Sequence, residues 1–205
     1  MATKYQSVAE TVINTFSKII TRGVQYTDKD GNLKNISCSF AEKDKDVLYL
    51  LFKENRSANI MSLLPHANII KLPTVKQENQ HPKPLRKVIN GKVQFMPIKV
   101  DIPLTVKFYS NLKSILWNIE EQLLTLFDVE FTPPNNFNPF GYHFQIVLNS
   151  ISETLNAEYG EEDNEIQYIE CEFTVKNINI YKKQTLEEVI TTGLEITASG
   201  ESTIT

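Results

Sequence analysis

Seven glycines, two cysteines, one tryptophan and three histidines in 205 residues leave little material for several kinds of site. There is no Gly-x-Gly-x-x-Gly, no phosphate-cradling Walker loop and no Gly-x-Ser-x-Gly elbow, so the common nucleotide and hydrolase signatures are missing. Cys38 and Cys171 lie far apart, with no Cys-x-x-Cys and no histidine cluster nearby, and read as reduced, partly buried thiols. His66, His81 and His143 fall in unrelated contexts, and none has a triad or metal-ligand partner at a diagnostic spacing. No apolar run approaches the roughly 20 residues that cross a bilayer. The start, Met1-Ala2-Thr3-Lys4-Tyr5-Gln6, carries no signal-peptide stretch. The expectation is a cytoplasmic protein that is not an enzyme and needs no cofactor and no metal.

Charge is present, but unevenly placed. The net charge of −4 divides into 16 Lys+Arg against 8 Asp+Glu over residues 1–100, and 5 against 17 over residues 101–205. The basic half has no arginine-rich helix and no interleaved stacking aromatics, so sequence-specific nucleic-acid binding is not expected. The opposed signs suggest head-to-tail association of identical subunits, the kind of contact that closes into a ring when the rotation permits.

Periodicity supplies most of the elements. Val8, Val12, Ile13, Phe16, Ile19 and Ile20 recur at helical spacing behind a Ser7/Glu10 capping box. Val24–Tyr26 and Leu33–Cys38 flank the turn-forming Asp28-Lys29-Asp30-Gly31-Asn32 as a hairpin. Val47–Phe52 is an apolar run that suits a strand or a helix turn. Between about 73 and 92, three prolines and a polar Gln77-Glu78-Asn79-Gln80 predict a long loop or arm. From Val100 to Tyr109 the side chains alternate as a half-buried strand, and Pro103 suggests an edge or an irregular ladder. A helix follows, capped by Ser110 or Asn111, with Leu112, Ile115, Leu116, Ile119, Leu123, Leu126 and Phe127 as its stripe. After a Pro/Asn-rich turn, Tyr142–Leu148 and Ile169–Val175 alternate again and should pair as antiparallel neighbours. Trp117 is expected at the edge of this layer. The fold class is α+β: a mixed, mainly antiparallel sheet covered by a long helix, with an amino-terminal helix and extended loops or arms. One domain spans 1–181, and 182–205 is a carboxyl-terminal arm with one short helical possibility at Leu186–Ile190.

Pro97-Ile98-Lys99 leading into that strand, Glu121-Gln122-Leu123-Leu124 within the helix, and Phe140 leading into Phe144-Gln145-Ile146-Val147-Leu148 form a recognisable series. With the strand Ile169–Val175, and with the first helix, the hairpin and Leu64-Pro65 upstream, the chain resembles the tail sheath stabiliser and completion proteins of T-even-like contractile-tailed phages over about residues 7–181. It departs from their pattern in being shorter and in having His66 after Leu64-Pro65. The resemblance implies a non-enzymatic virion protein: a hexameric ring at the head-proximal end of a contractile tail that caps tube and last sheath layer and presents a surface to the neck. Its partners would be further copies of itself, the tail sheath protein, the tail tube or tube terminator protein, and neck or connector proteins, with genome DNA passing through the ring. Three contact regions are expected. Lys83, Arg86 and Lys87 would meet the acidic Glu161, Glu162 and Asp163 of a neighbour; strand edges would accept an extended arm; and Leu194 and Ile196 would belong to such an arm. The alternatives are a tube terminator or neck connector of the same tail, or a small enzyme using Asp101, Glu120 and Asp128.

Overall fold

The structure is a computed structural model, and it describes residues 7–28, 30–40, 63–77, 86–89, 92–95, 97–128, 130–157 and 166–180. The described residues form a mixed α/β protein with two helices and a mostly antiparallel sheet. The chain divides into two compact units, one drawn from Met1–Val75 with Asp101–Ile178 and one from Lys76–Val100 with Asn179–Thr205. The runs Val47–Phe52 and Leu186–Ile190 lie outside the described residues.

Helix α1 (Val8–Gly23) begins as its sequence predicts. Ser7 Oγ accepts from the Glu10 amide at 3.1 Å and Glu10 Oε2 accepts from the Ser7 amide at 2.8 Å, so two amides that the first turn leaves unpaired are satisfied reciprocally. Its buried face is Val12, Ile13, Thr15, Phe16, Ile19 and Ile20. The predicted hairpin follows as β1 (Gln25–Thr27) paired antiparallel with β2 (Leu33–Asn35). Its turn is held by Asp28: Oδ1 accepts from the amides of Asp30 and Asn32, and Gly31 takes the positive φ of 81° that favours glycine. The pairing stops at the buried Ile36, and Ser37–Phe40 leaves the hairpin as β3 of another sheet.

That main sheet runs β3, β4 (His66–Lys71), β8 (Ile98–Ser110), β10 (Ile166–Ile180), β9 (Gln145–Ala157), and the two-residue β5 (Val75–Lys76) pairs with β8 off this path. β3 is parallel to β4, whereas β4 and β8 and also β10 and β9 are antiparallel. The expected pairing of the last two strands is found, with Val175 opposite Ile146 and Phe173 opposite Leu148. β8 is an interior strand and not an edge. Its ladder with β4 ends at Lys71 opposite Leu104, so Pro103, which has no amide to donate, falls just past the last pair. The Pro103 carbonyl is still used, accepting from the Leu72 amide at 3.1 Å.

One face of this sheet is the core. Ala67, Ile69, Val106, Phe108, Ile169, Cys171, Phe173 and Val175 are all buried. Phe16 of α1 meets Phe173 edge-on at 4.9 Å, and Phe127 meets Phe173 at 5.1 Å and Phe131 at 5.3 Å. Helix α2 (Lys113–Leu126) ends at Phe127 and buries Leu116, Ile119 and Leu123. Its cap corrects the expectation. Leu112 is the N-cap, and its apolar side chain makes no cap bond; the buried Ser110 hydroxyl, two residues earlier, accepts from the Leu112 amide at 3.1 Å.

In the second unit, β6 (Arg86–Ile89) and β7 (Lys92–Phe95) pair antiparallel, and the Gln77 amide donates to the Lys99 carbonyl at 3.4 Å. The loop expected over about 73–92 therefore contains strand in its described part. The two strands are separated by Asn90-Gly91, the dipeptide that most favours a two-residue hairpin connection.

Candidate interaction surface

Most of the residues expected at an interface cannot be placed on this fold. Lys83, Glu161, Glu162, Asp163, Leu194 and Ile196 lie outside the described residues. Arg86 and Lys87 are successive positions of β6, opposite Phe95 and Gln94 of β7.

The described surface with the most unused bonding capacity is the outer side of β9. β9 is the terminal strand of the sheet order, and beyond Ile146 no described strand pairs with that side. Ile146 sets the phase. It exchanges both main-chain hydrogen bonds with Phe131, at 2.8 and 2.9 Å, so its N–H and C=O point away from β10. Leu148 has the same phase by alternation. Phe173 pairs with Leu148 but Glu172 pairs with Ser150, so Asn149 is an extra residue on β9. β10 is uninterrupted there, and Phe173 and Cys171 are two apart, so their partners Leu148 and Ile151 share one phase. Both therefore present free main-chain groups along the open edge and place side chains on the core face. From Val147 to Ser152 this edge carries no charge.

Beside that edge, α2 leaves apolar surface uncovered. Trp117 is 52 % exposed and Leu124 53 % exposed, seven residues apart and so on one side of the helix. Trp117, expected at the edge of the layer, is tied to β9 through Lys113. The ammonium lies 5.3 Å from the Trp117 ring centroid and 3.0 Å from Glu153 Oε1. These exposed groups gave no signal in the hydrophobic pattern, because Trp117 and Leu124 lie off the stripe that identifies the helix.

The other face of the sheet is polar, and parts of it are buried. His66 on β4 is 5 % exposed and stands between two serines of β3, with Ser37 Oγ 2.8 Å from Nδ1 and Ser39 Oγ 2.8 Å from Nε2. Ser39 donates to Asn68 Oδ1 at 3.3 Å, so it accepts from Nε2–H, and Nδ1 accepts the Ser37 hydroxyl proton. Burial lowers the imidazole pKa from 6.5 to about 4 and keeps the ring neutral. Further along that face, Lys107 Nζ lies 3.4 Å from Glu170 and 4.9 Å from the Tyr168 ring, which itself packs on Tyr109 at 5.6 Å. These contacts join β3 to β4 and β8 to β10 by side chains as well as by the ladder.

The three acids of the enzyme alternative are not brought together. Asp101 lies on the polar face of β8 and accepts from the Asn177 amide at 3.2 Å. Glu120 is on α2 near Cys171, on the core side, where it adds to the burial that raises that thiol. Asp128 is exposed beyond the end of α2. Cys38 and Cys171 are both free thiols; the Cys38 pKa is raised by burial against weaker hydrogen bonds with Thr21 and Ser17. Among the described residues, no group of three His, Cys, Asp or Glu is placed to hold a metal ion. No helix there is long and apolar enough to cross a membrane.

No protein-family model matches the chain, and no curated protein matches it.

Proposed function

We propose that this chain is a structural virion protein, a subunit of the ring that caps the head-proximal end of a contractile phage tail, stabilises tube and sheath and offers the surface that joins the neck. The observation that carries this reading is the uncharged edge of β9, which no described strand pairs beyond Ile146, with exposed Trp117 and Leu124 on α2. A free antiparallel edge is a template for another strand, and exposed apolar groups next to it give an added segment side-chain contacts as well as main-chain bonds. Such a surface assembles; it does not enclose a substrate.

The remaining features fit the same role. In this reading helix α2 covers the core face of the sheet, which leaves the β9 edge at the side of each subunit. The +8 and −12 halves favour head-to-tail contact, with Lys83, Arg86 and Lys87 meeting Glu161, Glu162 and Asp163 of the next copy. Leu194 and Ile196 belong to an arm. The ring is a hexamer that forms on the tail in the host cytoplasm and becomes part of the virion. It binds sheath and tube on one side and neck proteins on the other, with DNA passing through it. A ring ends a polymer when the face it presents outward does not repeat the face it binds.

The test is co-sedimentation with purified contractile tails and with bare tube. Binding to sheathed tails at one end supports the reading. Binding to bare tube alone would make it a tube terminator, and binding to neither would remove the tail role.

A further inference from the structure

We propose that mild acid opens this protein locally: the edge strand β3 leaves the main sheet while the rest of the fold stays intact, with His66 as the trigger. This goes beyond the ring reading and does not rest on it.

Apolar burial does little to hold β3. It is four residues long and ends the sheet order beside β4, and none of Ser37, Cys38, Ser39 and Phe40 is buried. On β4, by contrast, His66, Ala67, Asn68 and Ile69 are all buried. A strand with so little buried apolar surface depends on its hydrogen bonds and opens at low cost. Both serines bond the His66 ring, and Ser39 also bonds Asn68. The chain just before β3 is anchored by the buried Ile36, so an opening can begin at Ser37.

This arrangement suits a neutral ring. Nδ1 accepts from Ser37 and Nε2–H donates to Ser39. A proton on Nδ1 would force the Ser37 hydroxyl to turn from donor to acceptor, and would place a positive charge where water is excluded. The neighbouring strands do not neutralise it. The partner of His66 on β8 is Tyr109, which packs on Tyr168 of β10. In the next row Lys107, opposite Asn68, has the same sign and already engages Glu170. Cys38 belongs to the other face, where its thiol meets Thr21 and Ser17 of α1. Departure of β3 removes both serines and gives the ring to water, so the open form binds the proton more tightly and acid shifts the equilibrium toward it. With a ring pKa of about 4 when closed and the ordinary 6.5 when open, the opening constant should rise about 70-fold from pH 7.5 to pH 4.5.

Amide hydrogen exchange of the full chain at these two pH values, expressed as protection relative to the unfolded rate at each, tests the proposal. Protection at residues 37–40 should fall by tens of fold at pH 4.5, while residues 169–175 of β10 keep theirs. His66→Asn should remove the acid response at 37–40, whatever its protection at pH 7.5. The wild type gives a second reading that holds even if the variant does not fold. Relative to a small thiol at the same pH, Cys38 should react faster with a dipyridyl disulfide at pH 4.5 than at pH 7.5, with Cys171 still protected. Unchanged protection at 37–40, a loss shared equally by 169–175, an acid response retained in His66→Asn, or a Cys38 indifferent to pH would each overturn the proposal.

Discussion

Gln122 of α2 pairs with Gln25 of β1 as if it were a strand residue. Its Oε1 accepts from the Gln25 amide at 2.9 Å and its Nε2 donates to the Gln25 carbonyl at 2.7 Å. One side chain thus satisfies both main-chain groups at the start of the hairpin and ties the second helix to the first strand, 97 residues away in sequence.

Gln122→Met keeps the length and packing of this side chain and removes both bonds. The loss of one donor and one acceptor at a half-buried site should cost roughly 1 to 3 kcal/mol. Urea denaturation will read it as a lower midpoint with an unchanged slope. An unaltered midpoint would mean that water replaces the glutamine without penalty.

Phe173 belongs to the aromatic cluster, touching Phe16 and Phe127 while itself buried. Phe173→Ala should destabilise the fold by about 3 to 5 kcal/mol, whereas Phe173→Leu should lose less than half as much. Thermal melts of the two variants give the comparison. Equal losses would show that volume matters little at this position.

His66 makes stability depend on acid. Its folded pKa, about 4, lies below the ordinary 6.5, so between these values the unfolded chain binds more protons than the folded one. Stability therefore falls as pH drops through this window and is fully present above it, with a limit of about 3 kcal/mol from this group. Chemical denaturation at pH 7.5, 5.5 and 4.5 should show the decline, and His66→Asn should flatten it. A wild-type slope retained in that variant would assign the acid sensitivity elsewhere.

Charge reversal tests the basic segment. Lys83→Glu, Arg86→Glu and Lys87→Glu made together should weaken ring assembly and its salt dependence. Each reversal made singly should weaken it less. Ring assembly on tails, followed at low and physiological salt, reads the difference. Rings indifferent to all three reversals would remove this segment from the interface.

Much of the fold was legible in the sequence where a buried face imposes a period. The capped α1, the alternating β8, the stripe of α2 and the β9–β10 pair all carry core residues at the spacing that their geometry demands. The hairpin of β6 and β7 is hidden in the sequence, because its strands are only four residues long and follow the polar stretch with Pro82 and Pro84 that reads as loop. Ser37 and Cys38 fall in the predicted hairpin arm Leu33–Cys38 because alternation continues through Ile36, and only long-range pairing moves Ser37–Phe40 into the other sheet. The open edge left no trace in the pattern. It depends on which strand ends the sheet and on one extra residue at Asn149, and neither is a property of any local run.

Cryo-electron microscopy of purified tails that lack necks, incubated with this protein, tests the central claim most directly. The account predicts a single ring of six subunits at the head-proximal end, with sheath and tube beneath it and nothing along the sides. Tails with bare ends, or with the protein scattered along the sheath, would contradict it.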